Sequence, residues 1–170
     1  MGNRAVVSTK ENLANNGIGI YVHWNGGKKS ITAFLDYCKM RGFREPDDDN
    51  YGWARLAQVI ANFMGADGLS VGIDTVNNLD CDNGDNGTYL IKGWKIVGHE
   101  YSKPCVEKYD PLELLLDIDK AQPEEQQLGE DRIRELYNKE KVDKEAEKKA
   151  KRKAEIEEQI AKLNKELGEL

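Results

Sequence analysis

The stretch IGIYVHWNGGKKSITAFLDYCKMRGFREPDDDNYGWARLAQVIANFMG, residues 18–65, decides the fold. It opens by alternating, with Ile18, Ile20 and Val22 on one side and Gly19, Tyr21 and His23 on the other, the period-two signature of a strand running to Trp24. Gly26-Gly27 breaks that strand. Ser30 is placed to cap a helix in which Ile31, Phe34, Leu35 and Cys38 recur at helical spacing, and Gly42 stops it. The polar loop EPDDDN, residues 45–50, supplies a cap and negative charge to the start of a second helix, where the dipole favours an anion. Leu56, Val59, Ile60 and Phe63 line one side of that helix, Trp53 stands one turn earlier, and Gly65 closes it. Two one-sided helices in succession must each bury a stripe. A sheet with helices on one face does this; a doubly wound parallel fold would alternate strands and helices instead.

Working outward, Ala5–Ser8 reads as a first strand and ENLANNG, residues 11–17, as the turn after it. Downstream, Leu69–Ile73 reads as a strand, Asp74–Gly87 as a loop, and Thr88–Ile91 with Trp94–His99 as a hairpin turned at Lys92-Gly93. Asp110 followed by Pro111 is a helix start, with Leu112, Leu115 and Leu116 packing it back. The expected fold is therefore α+β, a small and mainly antiparallel sheet with helices packed on one face, over residues 1–120. Residues 121–170 turn to Glu, Lys, Ala and Gln, the composition of a long charged helix. Within it Ile156, Ile160, Leu163, Leu167 and Leu170 form a short coiled-coil-like heptad seam over 156–170. Two readings of this tail stand side by side: a homodimer or partner-binding helix, and a solvated helix folded onto its own domain.

Charge narrows the classes of partner. Residues 1–120 carry 13 Lys and Arg against 17 Asp and Glu, and residues 121–170 carry 12 against 14, so neither part is cationic. Direct binding to nucleic acid, which rests on neutralising phosphates, is disfavoured. No apolar run approaches the roughly 18 residues of a membrane span, and the opening MGNRAVVSTK lacks a signal-peptide core. A cytoplasmic location is expected, with no membrane partner. Cys38, Cys81 and Cys105 are odd in number, widely spaced and without a CxxC pair, so three free thiols and no zinc site are expected.

Three segments carry candidate chemistry. In the first, His23, Trp24, Asn25, Gly26, Gly27 and Lys28 join a strand to a helix start, where backbone N–H groups can cradle an anion. The phosphate-loop pattern is absent, because Lys29 stands where Ser or Thr is required; the competing reading is a tight turn with a packed histidine and tryptophan. The second, Asp80–Gly87 (DCDNGDNG), resembles a calcium loop. Registering on Asp80 puts Asp85 at the glycine position and Ile91 at the bidentate Glu position, and registering on Asp82 fails at Gly84 and Gly93. Asn83-Gly84 and Asn86-Gly87 are turn signals instead. No metal and no cofactor are expected. The third is electrostatic: no Lys or Arg occurs from Ala57 to Leu90, while Asp67, Asp74, Asp80, Asp82 and Asp85 fall there and Asp47, Asp48 and Asp49 lie just upstream. Together they suggest an acidic face able to meet a basic protein surface. Nucleophilic catalysis would need His23 or His99 beside a cysteine or serine. Cys38 sits on an apolar helix stripe and the thiolate of Cys81 is disfavoured by its acidic neighbours, so the chain reads as non-enzymatic.

The segments GNRAVV, GIGIYVHWNGG, ITAFLDYCK, YGWARLAQVIANF and LDCDNGDNGTYLI resemble a group of small uncharacterised accessory proteins of bacteriophages and integrative mobile elements, over about residues 1–120. The resemblance transfers no catalytic or binding residue. It implies a context in which small acidic proteins inhibit host defence, in the manner of anti-CRISPR or antirestriction proteins. The expectation is a binding protein that blocks a host protein, one that itself handles nucleic acid, through the acidic face. The alternative is a protein that binds, sequesters or hydrolyses a small molecule or nucleotide at the His23–Gly27 turn.

Overall fold

The structure, a computed structural model, describes residues 2–47, 50–65 and 70–168. Its elements are β1 (Ala5–Ser8), α1 (Lys10–Asn15), β2 (Ile18–Val22), α2 (Lys28–Met40), α3 (Asn50–Met64), β3 (Val71–Thr75), β4 (Thr88–Lys92), β5 (Lys95–Glu100), α4 (Pro111–Lys120) and α5 (Glu130–Gly168). The five strands form one sheet in the order β3-β2-β1-β4-β5. Three of its four pairings are antiparallel, and β1 with β4 is parallel. The fold is thus α+β, with a mainly antiparallel sheet and helices, as the succession of two helices between β2 and β3 requires.

Register assigns the faces. Val7 pairs with Ile20 and Tyr89, and Ala5 with Val22, so these side chains share one face. Val6 lies opposite Tyr21 and Thr88 on the other. The first face meets the buried stripes of the helices: Ile31, Phe34, Leu35 and Cys38 of α2, Leu56, Val59 and Ile60 of α3, and Leu115 and Ile118 of α4. Each such side chain contributes roughly 1.5–3 kcal/mol on burial, which outweighs the weak helix propensity of their β-branched members. The second face is closed by the segment that leads from β3 to β4. A Cβ on Gly19 would stand 2.9 Å from Leu79 and 3.4 Å from Val76, so this glycine lets the segment lie flat against the strand. In consequence β1 is buried on both sides.

Several local expectations are corrected. ENLANNG is not a turn: its first residues belong to α1, capped by the Thr9 hydroxyl accepting from Asn12 N and ended by Asn16 in the left-handed region. The strand expected to reach Trp24 ends at Val22, and the one expected from Leu69 is observed over Val71–Thr75, with Leu69 outside the described residues. The cap of α2 is Gly27, and Ser30 is its third residue. Asp47 turns its carboxylate to Gly93 N, 3.0 Å away at the β4–β5 turn. The cap of α4 is as read, with Asp110 Oδ1 accepting from Leu112 N and Glu113 N.

Two compact units are distinguished, Met1–Ile133 and Arg134–Leu170. The first extends past residue 120 because of Asp119, which is buried and accepts from Tyr37 Oη at 2.7 Å, Leu128 N at 2.8 Å and Gly129 N at 2.9 Å. Burial, reinforced by this bond, pushes the Tyr37 hydroxyl well above its ordinary pKa. Ile133 is fully buried within that unit. In the second unit the helix carries Ile156 and Ile160 exposed, with Lys144–Glu140 and Lys153–Glu157 pairs along its length. Leu170 and the side chains of Leu163 and Leu167 lie outside the described residues. Among the described residues no helix is long and apolar enough to cross a membrane.

Candidate functional site

The turn from His23 to Lys28 is shaped by what presses on it. Gly26 N donates to Asn3 O at 2.7 Å, and a Cβ on Gly26 would stand 2.4 Å from that same oxygen. Only glycine lets the turn lie on the backbone leading into β1. Asn25 takes a left-handed φ of 54°, which asparagine tolerates better than most residues. His23 is engaged: its Nδ1 shares a 2.9 Å hydrogen bond with the Tyr21 hydroxyl, and its ring meets Trp24 edge-on at 5.0 Å. Trp24 is about half exposed, and Lys28 is exposed at the first turn of α2.

The anion cradle expected here is already filled by the chain itself. Glu107, almost wholly buried, accepts from Ser30 N at 3.0 Å and from Ser30 Oγ at 2.6 Å. A Cβ on Gly27 would lie 2.0 Å from the Glu107 carboxyl carbon. Gly27 is therefore the vacancy into which Glu107 fits, and the carboxylate meets the positive end of the α2 dipole. Beside it, Lys29 Nζ donates to Tyr109 O at 3.0 Å, and upstream Cys105 N donates to Asn86 Oδ1 at 2.7 Å. The irregular stretch between β5 and α4 is thus fastened at three points. Tyr89, fully buried, has a hydroxyl without a hydrogen-bond partner among the described residues; burial first, and then the nearby Glu107 charge, hold it protonated.

The DCDNGDNG loop is organised by two buried asparagines. Asn83 Oδ1 accepts from the backbone N–H groups of Asp85, Asn86 and Gly87, and its Nδ2 donates to Asp80 O and Gly87 O. Asn86 Nδ2 donates to Asn3 Oδ1 and to Arg4 O, and its carbonyl accepts from His99 Nε2. Gly84 and Gly87 supply the left-handed turns. Among the described residues no group of three or more His, Cys, Asp or Glu is placed to hold a metal.

The acidic residues divide into separate environments. Arg4 Nε donates to Asp85 Oδ2 at 2.8 Å and Arg4 Nη1 to Asp80 Oδ2 at 3.3 Å, so a cation from the start of the chain enters a stretch that has none of its own. The hydrogen bond to Arg4 lowers the Asp85 pKa. Asp74 accepts from Thr75 N and Asn78 Nδ2, which lowers its pKa as well. Asp80 remains about half exposed, and Asp82 is exposed with no hydrogen bond or ion pair among the described residues. Asp47 belongs to the hairpin turn at Gly93, while Asp48, Asp49 and Asp67 lie outside the described residues.

Neither histidine is hydrogen-bonded to a cysteine or serine among the described residues: His23 meets Tyr21 and His99 meets Asn86. Cys38 is fully buried, which raises its thiol pKa far above the ordinary value. The roles of Glu107 and Arg4 had no local signal. Glu107 is 77 positions from Ser30, and Arg4 is 81 from Asp85, brought close by the parallel pairing of β1 with β4. When compared with family models, curated proteins and solved structures, the chain matches none of them.

Proposed function

We propose that this is a non-enzymatic binding protein of phage or mobile-element type that inhibits a host defence protein through its acidic loop. The observation that carries the reading is the rigidity of that loop. Asn83 and Asn86 hold its backbone from within, so Asp80 and Asp82 are presented at fixed positions and lose little conformational freedom on binding. The matching partner has a cationic surface, such as a host protein that itself grips nucleic acid, and long-range attraction speeds the encounter. The resemblance to accessory proteins of mobile elements supplies the context, and a site in the host cytoplasm follows from it.

The alternative reading, a ligand at the His23–Gly27 turn, is less well supported because Glu107 occupies the donors such an anion would use. The discriminating variant is Asp82→Lys, whose side chain makes no hydrogen bond or ion pair among the described residues. It is expected to weaken partner binding, chiefly at low salt. Undiminished binding would remove the acidic loop from the account.

A further inference from the structure

On a chain of net charge −6, the cations of the tail are not evenly spread. Residues 121–170 carry 12 Lys and Arg against 14 Asp and Glu; residues 141–153 hold 7 and 3 of these, which leaves 5 and 11 for the rest. The near balance of the tail therefore conceals one cationic stretch, KVDKEAEKKAKRK. It lies within α5, and every residue of it is exposed. At about 3.6 residues per turn, Lys141, Lys144, Lys148, Lys151 and Arg152 fall within an arc of about 100°, over a length of about 16 Å. Asp143, Glu145 and Glu147 fall outside that arc, and Glu155 stands on its line and ends it. Lys144 is paired with Glu140 at 3.1 Å, whereas Lys141, Lys148, Lys151 and Arg152 have no ion pair among the described residues.

We propose that this stripe binds the phosphate backbone of a nucleic-acid duplex. Such a backbone is a linear array of anions, and a straight row of cations about 16 Å long meets several of them at once. Like charges on one face of a helix repel one another, and phosphates relieve that repulsion while their own counterions are released. Four of the five stripe residues find no such relief within the described chain. The major groove of a duplex is, moreover, wide enough to admit a helix. An anionic membrane suits the stripe less well. A helix lying on a lipid surface buries large apolar side chains beneath its cations, whereas the side of α5 away from this stripe carries Ala146, Ala150 and Ala154. Lysine and arginine on phosphates carry no base information, so the binding is indifferent to sequence. A charge count over the whole tail disfavours nucleic acid; the count over residues 141–153 favours it. The stripe shares no residue with the acidic loop, so binding there does not depend on whether that loop docks a partner.

The test titrates two short labelled DNA duplexes of unrelated sequence with the full-length protein, followed by fluorescence anisotropy over a series of salt concentrations. Phosphatidylserine vesicles are titrated alongside, and all titrations are repeated with the triple substitution Lys148→Gln, Lys151→Gln and Arg152→Gln. Glutamine has a helix propensity close to that of the residues it replaces, and circular dichroism verifies that the helix is retained. The expected result is equal binding of the two duplexes at low salt, falling with salt at a log–log slope of about −4 as about four or five phosphates are neutralised. The triple variant binds roughly tenfold or more weakly, and its slope is shallower by roughly three. No binding at low salt, or an affinity and slope that the triple variant leaves unchanged, overturns the proposal. So does a strong preference for one duplex, and so does binding of the vesicles without either duplex, which makes the partner an anionic membrane.

Discussion

The fit of Glu107 into the space at Gly27 predicts a strong energetic coupling between two residues far apart in sequence. Glu107→Ala removes two charge-assisted hydrogen bonds and leaves the Ser30 N–H and hydroxyl buried without their acceptor. With such bonds contributing about 1.5–3 kcal/mol each, the expected cost is about 3–4 kcal/mol. Gly27→Ala reaches the same end by another route. The Gly27 backbone, at φ −69° and ψ 160°, accepts alanine without strain, but the new Cβ falls 2.0 Å from the Glu107 carboxyl carbon and evicts it. Its cost should therefore also be about 3–4 kcal/mol, above the roughly 1 kcal/mol that a change of glycine to alanine costs at an ordinary cap. In Glu107→Ala the three atoms nearest the added methyl are gone. The double variant should match Glu107→Ala to within about 1 kcal/mol, the cost of alanine at the cap, a coupling energy of about 2–3 kcal/mol. Urea unfolding followed by tryptophan fluorescence measures this directly, because Trp24, Trp53 and Trp94 all lie in the first compact unit and α5 has none. Additive costs, with the double variant losing nearly twice as much as either single one, would refute the reasoning.

Other consequences follow from the same hydrogen-bond map. Asn83→Ala strips three N–H groups and two carbonyls of their partner, and a cost of about 3 kcal/mol is expected, with faster amide exchange at Asp85, Asn86 and Gly87. The Arg4–Asp85 pair lowers the Asp85 pKa in the folded state. Its contribution is thus fully present above the unfolded carboxylate value of about 3.9 and is lost as pH falls through the lower folded value. A series of urea midpoints from about pH 5 to about pH 2 should fall less steeply in Arg4→Met than in the unaltered protein. For the tail, sedimentation equilibrium should show concentration-dependent self-association that the double substitution Ile156→Lys and Ile160→Lys abolishes; a monomer at all concentrations would exclude the seam as a dimer contact.

What the sequence made legible is what local chemistry governs. The period of Ile18, Ile20 and Val22, the stripe from Ile31 to Cys38, the Asp110-Pro111 start and the turn at Gly93 each depend on residues within a few positions of one another, and each element is observed. Misreadings arose where the decisive partner was remote or weakly patterned. Helix α1 buries nothing and so shows no apolar stripe; its signal was the Thr9 hydroxyl alone. Ser30 looked like a cap because serine commonly is one, yet here it serves Glu107, which comes from a stretch without periodicity. The acidic loop was readable as acidic but not as partly neutralised, since the parallel pairing that brings Arg4 to Asp85 leaves no mark in either segment.

The central claim, that the acidic loop docks a cationic host protein, is tested most directly by retrieving partners of the tagged full-length protein from bacterial lysate, with Asp82→Lys in parallel. Each is washed at low and at high salt, and the bound protein and small-molecule fractions are analysed by mass spectrometry. The account predicts a basic protein retained by the unaltered chain at low salt, released at high salt as the charges are screened, and not retained by Asp82→Lys. A partner held equally by both chains at both salts, or a retained nucleotide with no protein partner, would contradict it.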